Sequence, residues 1–261
     1  MAKITDQKLK LLLNNNKLID FISHIEDLNR IGDTIKIKID TENIHIYSML
    51  GESVMLAFKN FILPTKEYFP DFKEEFLLNI IIIDTPRFVK NLKLLKTDSK
   101  IEWEIVYRHT NSPKEGETRV LIIKNGKLKI QPPCGEDTEI KDITKEKIKK
   151  FQDIKNRKWC FNINSNDFSD IKQLANINKD ENKKIINIEA NGGKVILSET
   201  SNWELEIDEI EDPNKYHIMF NKSFLSSIKI KDEITFHIFE NFILLKDVNE
   251  SLMISFEQTF D

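Results

Sequence analysis

The sequence predicts an α+β protein made of a repeated unit: one strand, one short amphipathic helix, then three more strands. Three observations carry this reading. The apolar period switches from two residues to about 3.6 and back, four times along the chain. Two-residue hairpin signals, Asn125-Gly126 and Asn191-Gly192, stand inside the strand runs. A Pro-containing polar stretch, residues 131–157, separates the four units into two pairs. A repeat of this kind makes the functional surface a property of the array, a ring or shell with a helical face, so no single residue has to be a catalyst.

The first unit opens with the alternation of Lys8 to Leu13 and continues, after three asparagines, with Leu18, Phe21, Ile22, Ile25 and Leu28 at helical spacing. Gly32 and Asp33 break the pattern. Strands follow at Ile35 to Ile39, Ile44 to Met49 and Ser53 to Phe58. The second unit comes after the Pro64 to Pro70 break, with a strand at Phe76 to Ile83 and a helix at Thr85 to Lys96. Asp84 or Thr85 can cap that helix, and Pro86 sits early, where a missing N–H costs little. Strands at Ile101 to Arg108, Thr118 to Lys124 and Lys127 to Ile130 complete it.

The third unit has a leading strand at Trp159, a helix at Ser165 to Ile177, and strands near Ile185 to Glu189, Lys194 to Ser198 and Trp203 to Ile207. The fourth has a strand at His217 to Phe220, a helix at Lys222 to Lys229, and strands at Ile234 to Phe239, Phe242 to Lys246 and Leu252 to Phe256. The domains expected are therefore 1–130 and 158–261, joined by a connector at 131–157. Within the connector, Lys145 to Lys158 carries seven basic and two acidic side chains, and Ile148, Phe151 and Ile154 give it a helical turn or two.

Composition bounds the function. A chain of 261 residues, 31% charged and 40% hydrophobic, can bury a sizeable core. The net charge of -4 excludes a binder that relies on an overall positive field, but not one with a basic face and an acidic remainder. No apolar run approaches the ~20 residues of a membrane span, and the first residues lack the apolar core of a secretory signal. Cys134 and Cys160 are too few for a disulfide framework, so an intracellular, reducing setting is expected. The richness in Lys, Asn and Ile fits an AT-rich genome, so the lysine count alone says little about binding.

The helix faces carry the charge pattern. At ~100° per residue, Phe88, Leu92 and Leu95 form one buried stripe, and Arg87, Lys90 and Lys93 lie away from it. No acid occurs between Pro86 and Lys96, nor between Asn221 and Lys231. In the fourth helix Phe224 and Ile228 face inward, with Lys222 and Lys229 expected to point outward. The first helix offers Lys17 at its start but exposes Asp20 and Asp27; the third offers Lys172 on the flank of Asn166, Ser169, Asp170 and Gln173. A solvated helix face is the simpler explanation for one basic helix; two matching ones weaken it. Acids gather elsewhere: seven between Glu199 and Asp212, without a Lys or Arg.

Phosphate-binding glycine loops, nucleophile elbows and paired zinc histidines do not occur. The five histidines are dispersed, and Trp103, Trp159 and Trp203 read as packing residues on strands. Asp208-Glu209 and Glu211-Asp212 could hold a divalent cation, although a solvated acidic loop is the simpler reading. No enzyme, cofactor or metal is expected.

Three stretches carry a resemblance to a known family. Asp40-Thr41-Glu42-Asn43-Ile44-His45-Ile46-Tyr47-Ser48-Met49, Asn162-Ile163-Asn164-Ser165-Asn166-Asp167-Phe168 and Phe220-Asn221-Lys222-Ser223-Phe224-Leu225 resemble, in order, stretches of the DNA polymerase sliding clamps. The likeness is to proliferating cell nuclear antigen and to the clamps of T4-like bacteriophages. It implies two clamp domains per subunit and a homotrimeric ring with helices lining the hole and sheets outside. It also implies non-specific contact with double-stranded DNA through Lys17, Arg87, Lys90, Lys93, Lys172, Lys222 and Lys229. Partners would be a DNA polymerase and a separate clamp loader, with partner peptides docking near Met49, Val54, Phe256 and Phe260. A phage origin would place the protein in the cytoplasm of a bacterial host. The competing reading is a β-rich virion or scaffold protein that never encircles DNA.

Overall fold

The computed structural model describes residues 6–50, 57–110, 112–136, 140, 149, 153–177, 185–199, 202–209, 215–228, 232–246, 250–255 and 257–258. The chain divides into two compact units, Met1–Met49 with Lys59–Asp142 and Leu50–Phe58 with Ile143–Asp261.

In the first unit β1 (Gln7–Leu13) leads through a 3₁₀ turn (Asn15–Lys17) into α1 (Leu18–Asn29), followed by β2 (Ile35–Ile39), β3 (Asn43–Leu50) and β4 (Ala57–Pro64). A one-turn helix α2 (Thr65–Tyr68) precedes β5 (Leu77–Ile82), α3 (Thr85–Leu92), β6 (Ile101–His109), β7 (Glu115–Asn125) and β8 (Leu128–Ile130). The sheet order is β1-β6-β7-β5-β2-β3-β4, with β8 on β7. Every pairing with a described register is antiparallel except β5 on β7, which aligns Leu77 with Glu115.

Strand alternation decides what the helices cover. Ile35, Ile37 and Ile39 of β2, Ile44 and Ile46 of β3 and Leu78, Ile80 and Ile82 of β5 turn one face toward α1 and α3. Phe21, Ile25 and Leu28 of α1 and Phe88 and Leu92 of α3 fill that face, and Trp103 packs edge-on against Phe21 and Phe69. Lys36 and Lys59 are also fully buried.

The second unit repeats the plan. β9 (Trp159–Asn164), α4 (Ser165–Ile177), β10 (Ile185–Asn191), β11 (Lys194–Glu199) and β12 (Trp203–Glu209) are followed by β13 (Tyr216–Asn221), a 3₁₀ turn (Lys222–Ser227), β14 (Glu233–Ile238), β15 (Phe242–Lys246), β16 (Glu250–Ser255) and the short β17 (Glu257–Gln258). Its sheets run β16-β15-β14-β9 and β12-β11-β10-β13-β17. Trp159 stacks on Phe161 and Tyr216, and Phe161 stacks on Phe236. Both predicted hairpins are present, with Gly126 and Gly192 at φ 59 and 62, a backbone region glycine enters without strain.

The order strand, helix, three strands therefore occurs four times, with three differences from the sequence reading. The strand expected at Ser53 to Phe58 is described over Ala57–Pro64, its expected residues 53–56 lying outside the described ones; it runs on past Phe58 because Phe61 and Leu63 anchor it, while the buried polar pair Lys59 and Asn60 hides the alternation. Helix α3 stops at Leu92 rather than Lys96. There the amide of Lys96 donates instead to Asn125 Oδ1 at 2.7 Å. The fourth helix is a 3₁₀ turn ending at Ser227. Of the connector's expected helical turns, Ile154–Asn156 is a 3₁₀ turn, while Ile148 and Phe151 lie outside the described residues.

Candidate nucleic-acid interface

The basic face of α3 follows from how the helix is capped and packed. The Asp84 carboxylate accepts the Arg87 amide at 3.0 Å, and Pro86 occupies the first turn. Thr85, Phe88, Val89 and Leu92 are buried, so Arg87 and Lys90 are left exposed on the far side, with Lys93 and Lys96 exposed just beyond the helix end. Lys93 forms an ion pair with Glu26 of α1.

The loop after α3 is held from two sides. Asn125 donates to the carbonyls of Lys96, Ser99 and Lys100 at 3.0, 2.9 and 3.3 Å. Asn15 donates to those of Thr97 and Ser99 at 2.7 and 3.0 Å. Between this loop and α1 lies an open groove of about 730 Å³.

The other predicted cations are engaged within the fold. Lys17 sits 2.6 Å from Glu67 and lies over the Tyr68 ring. Lys172 donates to the Ile228 carbonyl at 2.8 Å and lies 4.7 Å from the centre of the Phe168 ring. Lys222 does not point outward as its helical position suggested. Its ammonium lies 3.0 Å from Glu199 and 3.2 Å from the Ala175 carbonyl near the end of α4. Burial raises the Glu199 carboxyl pKa, but hydrogen bonds from Asn202 and Lys222, with the charge of Lys222, hold it below the ordinary range. Lys229 lies outside the described residues. The structure thus brings Arg87, Lys90 and Lys93 together at α3.

Of the residues expected to dock partner peptides, Met49 is half-buried in β3, next to Leu50, which is exposed; Val54, Phe256 and Phe260 lie outside the described residues. Asp208 is used locally, accepting the amides of Asn162 at 2.7 Å and Glu209 at 2.8 Å. Among the described residues no cluster of His, Cys, Asp and Glu could hold a metal ion, and no helix is long and apolar enough to cross a membrane. Sequence reasoning missed the Lys93–Glu26 pair, Lys96 and the groove, since each depends on contacts between distant segments.

No protein-family model matches the sequence. No curated protein matches it either. Solved structures do. The Helicobacter pylori beta clamp, crystallised with a DNA ligase peptide, aligns with 97% of this chain and 68% of its own, at a TM-score of 0.65 and 12% identity. PCNA from Thermococcus kodakaraensis aligns with 97% of this chain and 100% of its own, at a TM-score of 0.59 and 18% identity. PCNA from A. fulgidus, solved with the C-terminal region of FEN-1, aligns with 97% and 98%, at a TM-score of 0.59 and 11% identity. The chain spans about two thirds of the bacterial beta clamps and essentially all of the archaeal PCNA chains. Its fold is that of the sliding clamps.

Proposed function

We propose that this chain is a DNA polymerase processivity factor, a clamp that closes around duplex DNA and tethers a polymerase to it. The observation that carries the reading is α3: an exposed face bearing Arg87, Lys90 and Lys93, set on a fold shared with clamps over nearly the whole chain. Contacts from such a face go to phosphates, so they are independent of sequence, weakened by salt and loose enough to slide. Retention is then topological, and the tethered polymerase stays at high effective concentration.

In this reading the domains are 1–130 and 158–261, joined by 131–157. Lys17, Lys172 and Lys222, tied to internal oxygens, position the helices, and Lys229 adds to the charge. Full-length coverage of the archaeal PCNA chains supports two domains per subunit, and the family resemblance implies a ring of three. The resemblance to the sliding clamps implies that a separate loader inside the cell opens the ring. Two of the similar clamps were solved with partner segments, a DNA ligase peptide and the C-terminal region of FEN-1, which supports a peptide site on this chain, placed near Met49, Val54, Phe256 and Phe260.

Light scattering across a dilution series tests the ring. A species near three times 30.7 kDa is expected. A single-chain mass at every concentration contradicts it and favours the scaffold reading.

A further inference from the structure

Among the described residues, Arg87, Lys90 and Lys96 make no ion pair, whereas Lys93 pairs with Glu26 of α1. Helix α1 carries two other acids, and the fold employs both. Asp20 accepts the Tyr68 hydroxyl at 2.9 Å, and the buried Asp27 lies 3.9 Å from Arg30. Glu26 reaches across to the end of α3 instead. Both members of its pair stand open to water, the Lys93 side chain at 56% exposure and that of Glu26 at 38%. An ion pair so exposed is weakly held, because water and salt screen it and two long side chains must be ordered to make it.

The backbone beneath the pair is fixed. The Lys93 amide donates to the Val89 carbonyl at 3.1 Å, and Asn125 and Asn15 hold the loop that follows. A change of partner therefore needs only rotation of the four-carbon lysine stem. The pair lines the groove beside Ile19, together with Lys96 and Asp98. Asp98 accepts the Ser99 hydroxyl at 3.1 Å. With two cations against two carboxylates the groove is neutral, so the net positive charge of the α3 face rests on Arg87 and Lys90.

We propose that Glu26 competes with DNA phosphate for Lys93, and so limits how tightly this face grips the duplex. The proposal rests on the DNA reading above and names a residue that tunes it. A free lysine that meets a phosphate releases the counterion condensed there. Lys93 gives up its own carboxylate to do so, and the vacated Glu26 takes a cation from solution. Release and uptake nearly cancel, so the contact adds almost nothing to affinity. A cation that trades one anion for another at little net gain suits a clamp that has to slide.

The test is equilibrium binding of the full chain to a short duplex across a salt series, for wild type, Glu26→Gln, Lys93→Gln and the double variant. Glutamine keeps the size of glutamate at an exposed position, so circular dichroism and melting temperature should stay at wild-type values. Glu26→Gln is expected to bind more tightly. Its slope of log affinity against log salt should steepen by about 0.9 for each phosphate that Lys93 then neutralises, so its advantage shrinks about 3.5-fold per contact between roughly 50 and 200 mM salt. The double variant should show the slope of Lys93→Gln alone, since no cation is left to exchange. A wild-type slope in Glu26→Gln overturns the exchange and leaves DNA binding standing. Equal steepening by Glu26→Gln in the Lys93→Gln background shows a general effect of the removed charge, and also overturns it. A wild-type protein that binds no duplex at any salt overturns the DNA reading, and the exchange with it.

Discussion

The ammonium of Lys222 lies 3.0 Å from Oε1 of Glu199, a carboxylate whose side chain is only 2% exposed. The same nitrogen donates to the Ala175 carbonyl, while Lys172 of α4 donates to the carbonyl of Ile228, just past the 3₁₀ turn. Each helical segment thus gives a lysine to the other's end. These cations hold the second unit together, which leaves α3 as the basic face of the first unit.

Lys222→Met is therefore expected to cost stability rather than DNA affinity. Removing one partner of a largely buried pair strands Glu199, although the hydrogen bond from Asn202 keeps it partly satisfied. The expected loss is about 2–3 kcal/mol in chemical denaturation. A change within the scatter of surface substitutions would show the pair to be incidental.

Arg87→Ala and Lys90→Ala should behave oppositely. Each removes a solvated cation, so stability should hold while binding to a short duplex weakens. The slope of log affinity against log salt should fall by about 0.9 for each phosphate that is no longer neutralised. Lys222→Met should leave that slope unchanged; an equal drop in all three would show that the charge is not localised to α3.

Much of the fold is legible in the sequence, and the exceptions share a cause. Helix Ser165–Ile177 and the two Asn-Gly hairpins are local signals, set by periodicity and turn chemistry, and the structure has them where those signals stand. The stripe of Phe88, Leu92 and Leu95 is buried as its spacing requires. A helical wheel misplaces Lys222 because it cannot see Glu199, 23 residues away, across the unit. Periodicity ends β4 too early, at Phe58, because Lys59 and Asn60 are polar yet buried, which breaks the alternation that marks a strand. The groove at Ile19 depends on Asn15 and Asn125 reaching one loop from opposite ends of the first unit.

Acid should weaken the outer ladder of the first sheet. Glu104 receives Lys124 at 2.7 Å and Lys10 at 3.1 Å, and those hydrogen bonds, that of Lys124 first, hold its carboxyl down to about 2. A carboxyl lowered on folding stabilises the protein above its unfolded value, 4.5, and that support is lost as pH falls through about 2. Glu104→Gln should therefore make the melting temperature fall less steeply with pH across this window. An acid limb identical to the wild type would rule the ladder out as its source.

Gly116 admits no side chain. A Cβ there would stand 2.8 Å from Tyr107 Cδ2 and 2.9 Å from Phe76 Cε2, two rings already stacked at 4.9 Å. Gly116→Ala is expected to destabilise by about 1–3 kcal/mol through overpacking, measured by denaturant unfolding. No loss would mean that the ring stack yields freely.

Encirclement is tested most directly by threading. The protein is mixed with a linear duplex bearing biotin at both ends, and streptavidin is added either before or after it. Complexes are then washed in salt high enough to abolish phosphate contacts. Retention only when the ends are capped after the protein is the result a ring predicts, since such a clamp enters over a free end and then cannot leave. Equal retention in either order, or none in both, would contradict encirclement and leave a clamp-folded chain that does not surround DNA.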